Sequence, residues 1–444
     1  MTPTVAVVAT LDTKGGEAAF LRAELRRQGC AARIVDVGLR LVTGDVDVDV
    51  PADAIARAAD RNLDALRENA RRDEAMHVMA TGAARVLGGW HAAGELAGVI
   101  GIGGNQGTAV AAEAMRRLPF GVPKLIVSTV ASGDVRGFVG DSDIALMFSV
   151  GDLLGGPNLI TTGVLRRAAA AIAGMARTEE EADAPPRPGT VVAVTAFGNT
   201  HMAVTTAMEH LRRAGAHPVP FHASGACGSA MERLVAEGMF DAVLDLTTHE
   251  LLAELYPADI YNPVRPGRLT AAGRCGIPQV VVPGGLDYHC FAAADTIPAD
   301  LRDRPTHYHN PNNTNVRATA EELSAVAGAM AERLNAATGP VAVLVPLHGW
   351  SQVGSPGGVL HDPYADAAFV AELRRALSPR VPLRELDLTI NDPVFAATAA
   401  ETLLSLLGGI RATGPRETSR KLASASREGG CHVPDPGRNY RPAV

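Results

Sequence analysis

A chain of 444 residues is too long for one ordinary core, and 47% hydrophobic with 20% charged residues describes a folded globular protein of two or three domains. A formal net charge of −7 argues against a nucleic-acid partner held by bulk electrostatics, and no apolar run reaches the roughly 18 residues of a membrane span. The start, MTPTVAVVAT, has no basic leader or cleavage site, and the five cysteines are scattered without a CxxC pair, so a cytoplasmic protein is expected.

Taken in order, Val5–Thr10 is a valine-rich strand of the kind buried on both faces of a parallel sheet. It runs through Asp12, Thr13 and Lys14 into a helix ending near Gln28, with Asp12 or Thr13 as cap and Lys14 as a cation beside any bound anion. Ala32–Val37 is a second strand, and Ala52–Asn69 and Glu74–Ala93 are helical by period, the latter interrupted by Gly82 and Gly88–Gly89.

Val99–Met115 (VIGIGGNQGTAVAAEAM) organises the first half. A short apolar run ends in Gly103, Gly104 and Gly107, and Thr108 leads into an alanine-rich helix. Glycines let the backbone approach a ligand, and the free N–H groups of a first helical turn attract phosphate or carboxylate. The same glycines also suit a tight strand-to-helix turn with no ligand. There is no Walker lysine, and Gln106 replaces the third glycine of GxGxxG. Lys124–Ser128 is the next strand and ends without an acidic residue for a ribose, which argues against NAD. The polar loop Thr129–Asp134, the apolar segment Ile144–Val150 and a long helix Leu159–Met175 follow.

Residues 1–176 thus form a first α/β domain, and 177–189 (RTEEEADAPPRPG) read as a linker. The strand-loop-helix rhythm restarts over 190–408 with strands at Val191–Ala196, Pro218–His222, Ala242–Leu246, Gln279–Pro283, Val341–Pro346 and Arg384–Leu388. Residues 409–444 lose apolar period and are expected to be a flexible tail.

The segments TLDTKGGE, GIGGNQGT, PKLIVSTVASGDV, AIAGM, FHASGACGSAME, DLTTHEL, IPQVVVPGGLD, HNPNNTNVR and NAATGPVAVLVPL, in that order from about Val5 to Leu407, together resemble the Tm-1-like, UPF0261 proteins. The resemblance implies two Rossmann-like domains with mostly parallel sheets. A plant member of that family inhibits viral RNA replication and binds ATP in the first domain. By this resemblance Asp12, Thr13, Lys14, Gly103, Gly104, Gly107, Thr108, Ser128, Gly133 and Asp134 are the candidate contacts for ATP or a related nucleotide.

Eleven of the thirteen histidines lie from His201 onward. His201, His222, His249, His289 and His348 each fall at or just past the C-terminal end of an expected strand, the edge where open α/β sheets bind ligands. Clustered imidazoles repel when protonated, so a divalent metal such as zinc, or an anionic substrate, is implied. His307 and His309 add an HxH pair, and Asp287, Glu250 and His289 are the candidate catalytic groups, with Cys227 and Cys290 nearby. Ser224, Ser229 and Cys227 open a helix where an anion cradle or a nucleophile would sit, though Cys227 is better read as a small packed residue. Within the resemblance, His222, Asp287 and His309 fit the family pattern while His201, His249, His289 and His348 depart from it, as in a member that has acquired or sharpened a chemistry.

The expected function is an enzyme, a metal-dependent hydrolase or lyase, acting on a small phosphorylated or carboxylated molecule at the second domain's rim, with nucleotide or phosphate on the first. The alternative is a non-catalytic ATP-binding regulatory or interaction protein. A homo-oligomer is expected, with no nucleic-acid and no membrane partner.

Overall fold

The structure, a computed structural model, describes residues 2–42, 46–178, 189–256, 258–261, 264 and 266–413. It divides into two compact units, Met1–Ala184 and Pro185–Val444. The division falls inside the expected linker, of which residues 179–188 lie outside the described residues.

In the first unit β1 (Thr4–Ala9), α1 (Leu11–Arg27) and β2 (Ala31–Asp36) precede α2 (Ala52–Ala58), α3 (Leu63–Asn69) and α4 (Arg72–Ala92). Then come β3 (Gly98–Gly103), α5 (Asn105–Arg116), β4 (Lys124–Ser128), α6 (Arg136–Val139), β5 (Ala145–Phe148) and α7 (Thr161–Ala176). The strands form one parallel sheet in the order β2-β1-β3-β4-β5. The central strand β1 does not alternate apolar with polar residues, because both of its faces are covered. Ala6 and Val8 pack with α2, α4 and α5, while Val5 and Val7 pack with α1 and α7. The expected break in α4 does not occur. Gly82 continues the helix because α2 crosses there, and a Cβ would stand 1.9 Å from the Ile55 carbonyl oxygen. Packing outweighs the roughly 1 kcal/mol that a glycine costs in a helix.

The second unit has β6 (Thr190–Ala196), α8 (His201–Arg213), β7 (Ala216–His222), α9 (Ala226–Ala236), β8 (Ala242–Thr247), α10 (Glu250–Leu255) and α11 (Ala271–Cys275). It continues with β9 (Gln279–Gly284), β10 (Tyr288–Phe291), β11 (Thr306–Asn310), β12 (Asn313–Arg317), α12 (Ala320–Asn335), β13 (Val341–Pro346), α13 (Pro363–Ala376), β14 (Leu383–Leu386) and α14 (Pro393–Thr413). Six parallel strands run in the order β14-β13-β9-β8-β6-β7. A separate antiparallel sheet, β10-β12-β11, is inserted between β9 and α12. The edge strand β7 carries Pro218 and Pro220, which cannot donate to a further strand. Residues 409–413, expected to begin a flexible tail, are instead helical, since α14 runs to Thr413, and residues 414–444 lie outside the described residues.

Both parallel sheets share one topological feature. The first strand of each unit lies between its second and third, so the strand order reverses between β1 and β3 and again between β6 and β8. Loops leaving the carboxyl ends of such a pair diverge to opposite faces and open a crevice for ligands.

Candidate functional site

At the first reversal point β1 leads into Thr10–Lys14 and β3 into Gly104–Gly107. Asp36, at the end of β2, accepts hydrogen bonds from the Leu11 and Gly38 backbone N–H groups and so fixes the start of α1. Lys14 breaks the helical path there (φ −125°, ψ 19°). The three glycines differ in purpose. A Cβ on Gly103 would meet Gly107 Cα at 2.7 Å, and one on Gly107 would meet the Ile102 carbonyl oxygen at 3.2 Å, so both let α5 close onto β3. Gly104 has ordinary backbone angles (φ −82°) and only a 3.5 Å contact with Thr129 Oγ1. Neither strain nor crowding calls for glycine at that position, which leaves the α5 N-terminus open, with no side-chain cap.

Lysine is rare in this chain: only Lys14, Lys124 and Lys421 occur. Lys124 is structural, its Nζ donating to the Pro119 carbonyl at 2.7 Å and pairing with Asp143 at 2.6 Å. Lys14 is also buried, yet among the described residues its ammonium has no hydrogen bond or ion pair. The stem of Lys14 is covered by the protein while its ammonium carries no counter-charge from the described residues, so it is available to an anion at this turn.

Other candidates here have different roles. Thr108 and Ser128 are buried and bonded to each other (2.7 Å), and Ser128 also accepts from Val130 N–H, so they lock β4 to α5. Gly133 closes a turn on Val130, and Asp134 is exposed and paired with Arg136, which holds its carboxyl down at about 2. Thr13 Oγ1 lies 3.3 Å from Thr10 Oγ1 and 3.4 Å from Asp12 Oδ1.

At the second reversal point the segment after β6 carries Phe197 and Asn199, and β8 is followed by His249 and, as the first residue of α10, Glu250. Phe197 lies against His249 with centroids 5.0 Å apart and an interplanar angle of 16°, and touches His222 at 5.1 Å and Tyr261 at 5.6 Å. His249 is fully buried, and its Nδ1 lies 2.7 Å from the Gly285 carbonyl oxygen. Its Nε2 is 3.3 Å from Asp259 Oδ2 but off the line a hydrogen bond requires. Burial alone would lower the His249 pKa, but Cys290 and Asp259 beside it raise it well above the usual histidine value. His222 is held down by desolvation against its neighbours and then by His249. Asp287, in the loop after β9, is buried; its Oδ2 accepts from Ser351 Oγ at 2.6 Å, while its Oδ1 has no partner among the described residues. Burial pushes the Asp287 carboxyl up, against the pull of Arg317.

The structure gathers only part of the expected histidine rim. His289 alternates with Cys290 along β10 and so faces the other way, with Nε2 3.0 Å from Glu322 Oε2, which makes it a packing residue rather than a partner of His249. His201 sits on the first turn of α8 beside Thr205, and exposed His348 pairs with Asp387 at 2.5 Å. His307 and His309 lie with ring centroids 6.1 Å apart on β11, whose pairing slips between Tyr308 and Asn310. His307 and Cys290 both pair with Asn315, on opposite sides of β12, so thiol, amide and imidazole share one face of the small sheet.

Glu250 is not a free base. Its Oε1 accepts from Gly225 and Gly228 N–H at 2.7 and 3.1 Å, and its Oε2 from Arg268 Nε at 2.6 Å. This carboxylate therefore occupies the α9 N-terminus that Ser224, Cys227 and Ser229 suggested as an anion cradle. Asp259 is the residue of this candidate site that sequence reasoning missed; no motif marks it, and it arrives on the segment that bonds back to β10 through Ile260 N–H and the Cys290 carbonyl.

A two-domain α/β protein with a mostly parallel, doubly wound sheet in each unit is the class these features define. Residues 3–181 match the N-terminal domain and residues 189–407 the C-terminal domain of the Uncharacterised protein family (UPF0261), and the chain belongs to that family. A UPF0261 protein of Clostridium tetani is 34% identical over 410 residues, covering 92% of this chain and 100% of that one. A UPF0261 protein of Rhizobium meliloti is 38% identical over 396 residues (88% and 96%). The ToMV resistance protein Tm-1(GCR237) of Solanum lycopersicum is 37% identical over 316 residues, covering 70% of this chain and 42% of that protein. No helix among the described residues is long and apolar enough to cross a membrane.

Proposed function

We propose that the chain is a two-site enzyme. The first unit holds ATP or a related nucleotide by its phosphates, and the second turns over a small carboxylated or phosphorylated molecule with the help of a divalent metal, in hydrolase or lyase fashion. The observation that carries the reading is a pair of buried polar atoms without a hydrogen bond beside the second reversal point, His249 Nε2, which has only the Asp259 carboxylate at 3.3 Å, and Asp287 Oδ1. A protein that only grips a nucleotide has no use for them, and each is costly unless a ligand completes it.

At the first site Lys14 and the uncapped α5 N-terminus are the groups suited to phosphate, with Gly104 leaving the approach clear. At the second site a carboxylate is favoured over a phosphate. No lysine occurs between Lys124 and Lys421, and Arg268, Arg304 and Arg317 are committed to Glu250, Glu322 and Asp366. A metal ion would polarise a substrate carbonyl or supply a hydroxide near neutral pH, with Asp287 placed to accept a proton. Self-association belongs to the same proposal, since β5 is an edge strand and Phe148, Val150, Leu154 and Leu159 beside it are exposed.

Thermal unfolding with millimolar ATP, ADP, phosphate and a panel of small carboxylates, with and without metal, tests the two sites together. Mass spectrometry of a metabolite extract incubated with the protein tests turnover. Stabilisation by ATP with no carboxylate effect and no turnover would leave a non-catalytic nucleotide binder.

A further inference from the structure

We infer that His249 Nε2, Asp259 Oδ2 and Cys290 Sγ form a zinc-type metal site in the second unit. This rests on the metal-dependent reading above and replaces the histidine rim with one defined donor set. The three atoms lie within 4.8 Å of one another, and the residues are 0%, 3% and 0% exposed.

Each donor residue is held by further hydrogen bonds. The contact of His249 Nδ1 with the Gly285 carbonyl turns Nε2 inward, the usual arrangement for a metal-binding imidazole. Asp259 Oδ1 accepts from Tyr261 N–H at 2.9 Å, and Oδ2 from Cys290 N–H at 2.7 Å. Cys290 Sγ accepts from Asn315 Nδ2 at 3.2 Å, and Asn315 in turn donates to Asn313.

A plain buried ion pair between His249 and Asp259 would place its proton on the line between them. Here Nε2 stands 3.3 Å from the carboxylate with no aligned hydrogen bond, and a thiol approaches the same space. That is the arrangement of donors aimed at a common point. Nitrogen, oxygen and sulfur together suit zinc rather than magnesium or calcium. Tetrahedral zinc with bonds of about 2.0–2.3 Å sets its donors roughly 3.3–3.8 Å apart, and His249 Nε2 and Asp259 Oδ2 already stand at 3.3 Å. Phe197, Tyr261 and Tyr288 pack around the His249 ring and hold it in place. Three protein donors would leave room for a fourth, supplied by a water or a substrate carboxylate.

Cobalt titration of the chelator-stripped full chain tests the assignment. One equivalent should bind and produce the near-ultraviolet charge-transfer band of a cobalt–thiolate bond. Cys290→Ser should remove the band while far-ultraviolet circular dichroism is unchanged, and Asn315→Ala should weaken binding about tenfold. His222→Ala, His289→Ala and His348→Ala should leave band and stoichiometry intact. Metal should also slow alkylation of Cys290 in the wild-type chain, which reads the same site if a variant fails to fold. The inference is overturned if folded wild type binds cobalt without the thiolate band, if it binds none, or if the band survives Cys290→Ser. Stabilisation by ATP and small carboxylates persisting alongside any of these results would remove the metal site alone and leave the two-site reading standing.

Discussion

Phe197 stacks on His249 with ring centroids 5.0 Å apart, and these two residues terminate the strand pair across which the second sheet reverses its order. The contact makes topology into chemistry, because a buried imidazole needs an apolar wall to hold one rotamer while its ring nitrogens are aimed at polar partners. Phe197→Ala should cost about 3 kcal/mol, and Phe197→Leu about 1 kcal/mol, in urea unfolding of the chain. Both should broaden the His249 ring signals in NMR spectra. A sharp, unshifted His249 resonance in Phe197→Leu would show that the ring is held by Gly285 alone.

The first reversal point predicts different outcomes for neighbouring glycines. Gly104→Val should fold normally and lose thermal stabilisation by ATP, since its Cβ meets only Thr129 at 3.5 Å. Gly103→Val should instead lower stability by about 1–3 kcal/mol without any ligand, because α5 must be pushed off β3. Lys14→Met, which keeps the buried stem and removes the charge, should weaken ATP binding while leaving the free protein folded. ATP stabilisation equal to that of wild type would show that Lys14 does not reach the phosphates.

Much of the frame was legible because central strands buried on both faces are continuous valine-rich runs: Lys124–Ser128 and Val341–Pro346 are found with the bounds the sequence suggests. The small antiparallel sheet was not. THYHN and NTNVR are polar, their turn NPNN reads as an ordinary loop, and their pairing depends on β10 lying alongside. Missing β10 also concealed that His289 and Cys290 face opposite ways, which decides which of them meets His249. The glycine loop could be located but not dissected, since steric need at Gly103 and openness at Gly104 depend on where α5 packs. Glu250 looked like a base because its sequence neighbours do not reveal Arg268.

Arg268 is fully buried and reaches Glu250, Asp245 and Glu232 at 2.6, 2.9 and 2.8 Å. Three carboxyls around one guanidinium leave excess negative charge, and burial pushes Glu232 and Glu250 up. Removing the cation is expected to cost about 3–5 kcal/mol near neutral pH. Arg268→Met should therefore be severely destabilised at pH 7 and less so at pH 5, where the carboxyls take up protons. Denaturant midpoints at the two pH values measure this, and an equal loss at both would assign the defect to packing alone.

Asp366, on the first turn of α13, gives the clearest dependence on pH. Burial pushes its carboxyl up to about 6, against the Arg317 guanidinium that bonds it at 2.5 Å. A folded-state pKa above the unfolded value means that the native protein binds the proton more tightly. This group's contribution to stability is complete below the unfolded value near 4, declines as pH rises through the interval from 4 to 6, and then levels off. The full change is on the order of 3 kcal/mol if the shift of about two units is carried by this group alone. Asp366→Asn cannot titrate, so its unfolding free energy should lack this decline, and the difference between wild type and variant should narrow or widen only within that window. Glu322 works in the opposite sense: burial opposes its ionisation, but His289, the Thr319 N–H and Arg304 hold it at about 2, so its stabilisation is lost below pH 4 in both proteins and cancels in the comparison. Paired urea titrations from pH 3 to 8 would show the effect, and parallel curves across the window from 4 to 6 would place the Asp366 pKa at its ordinary value.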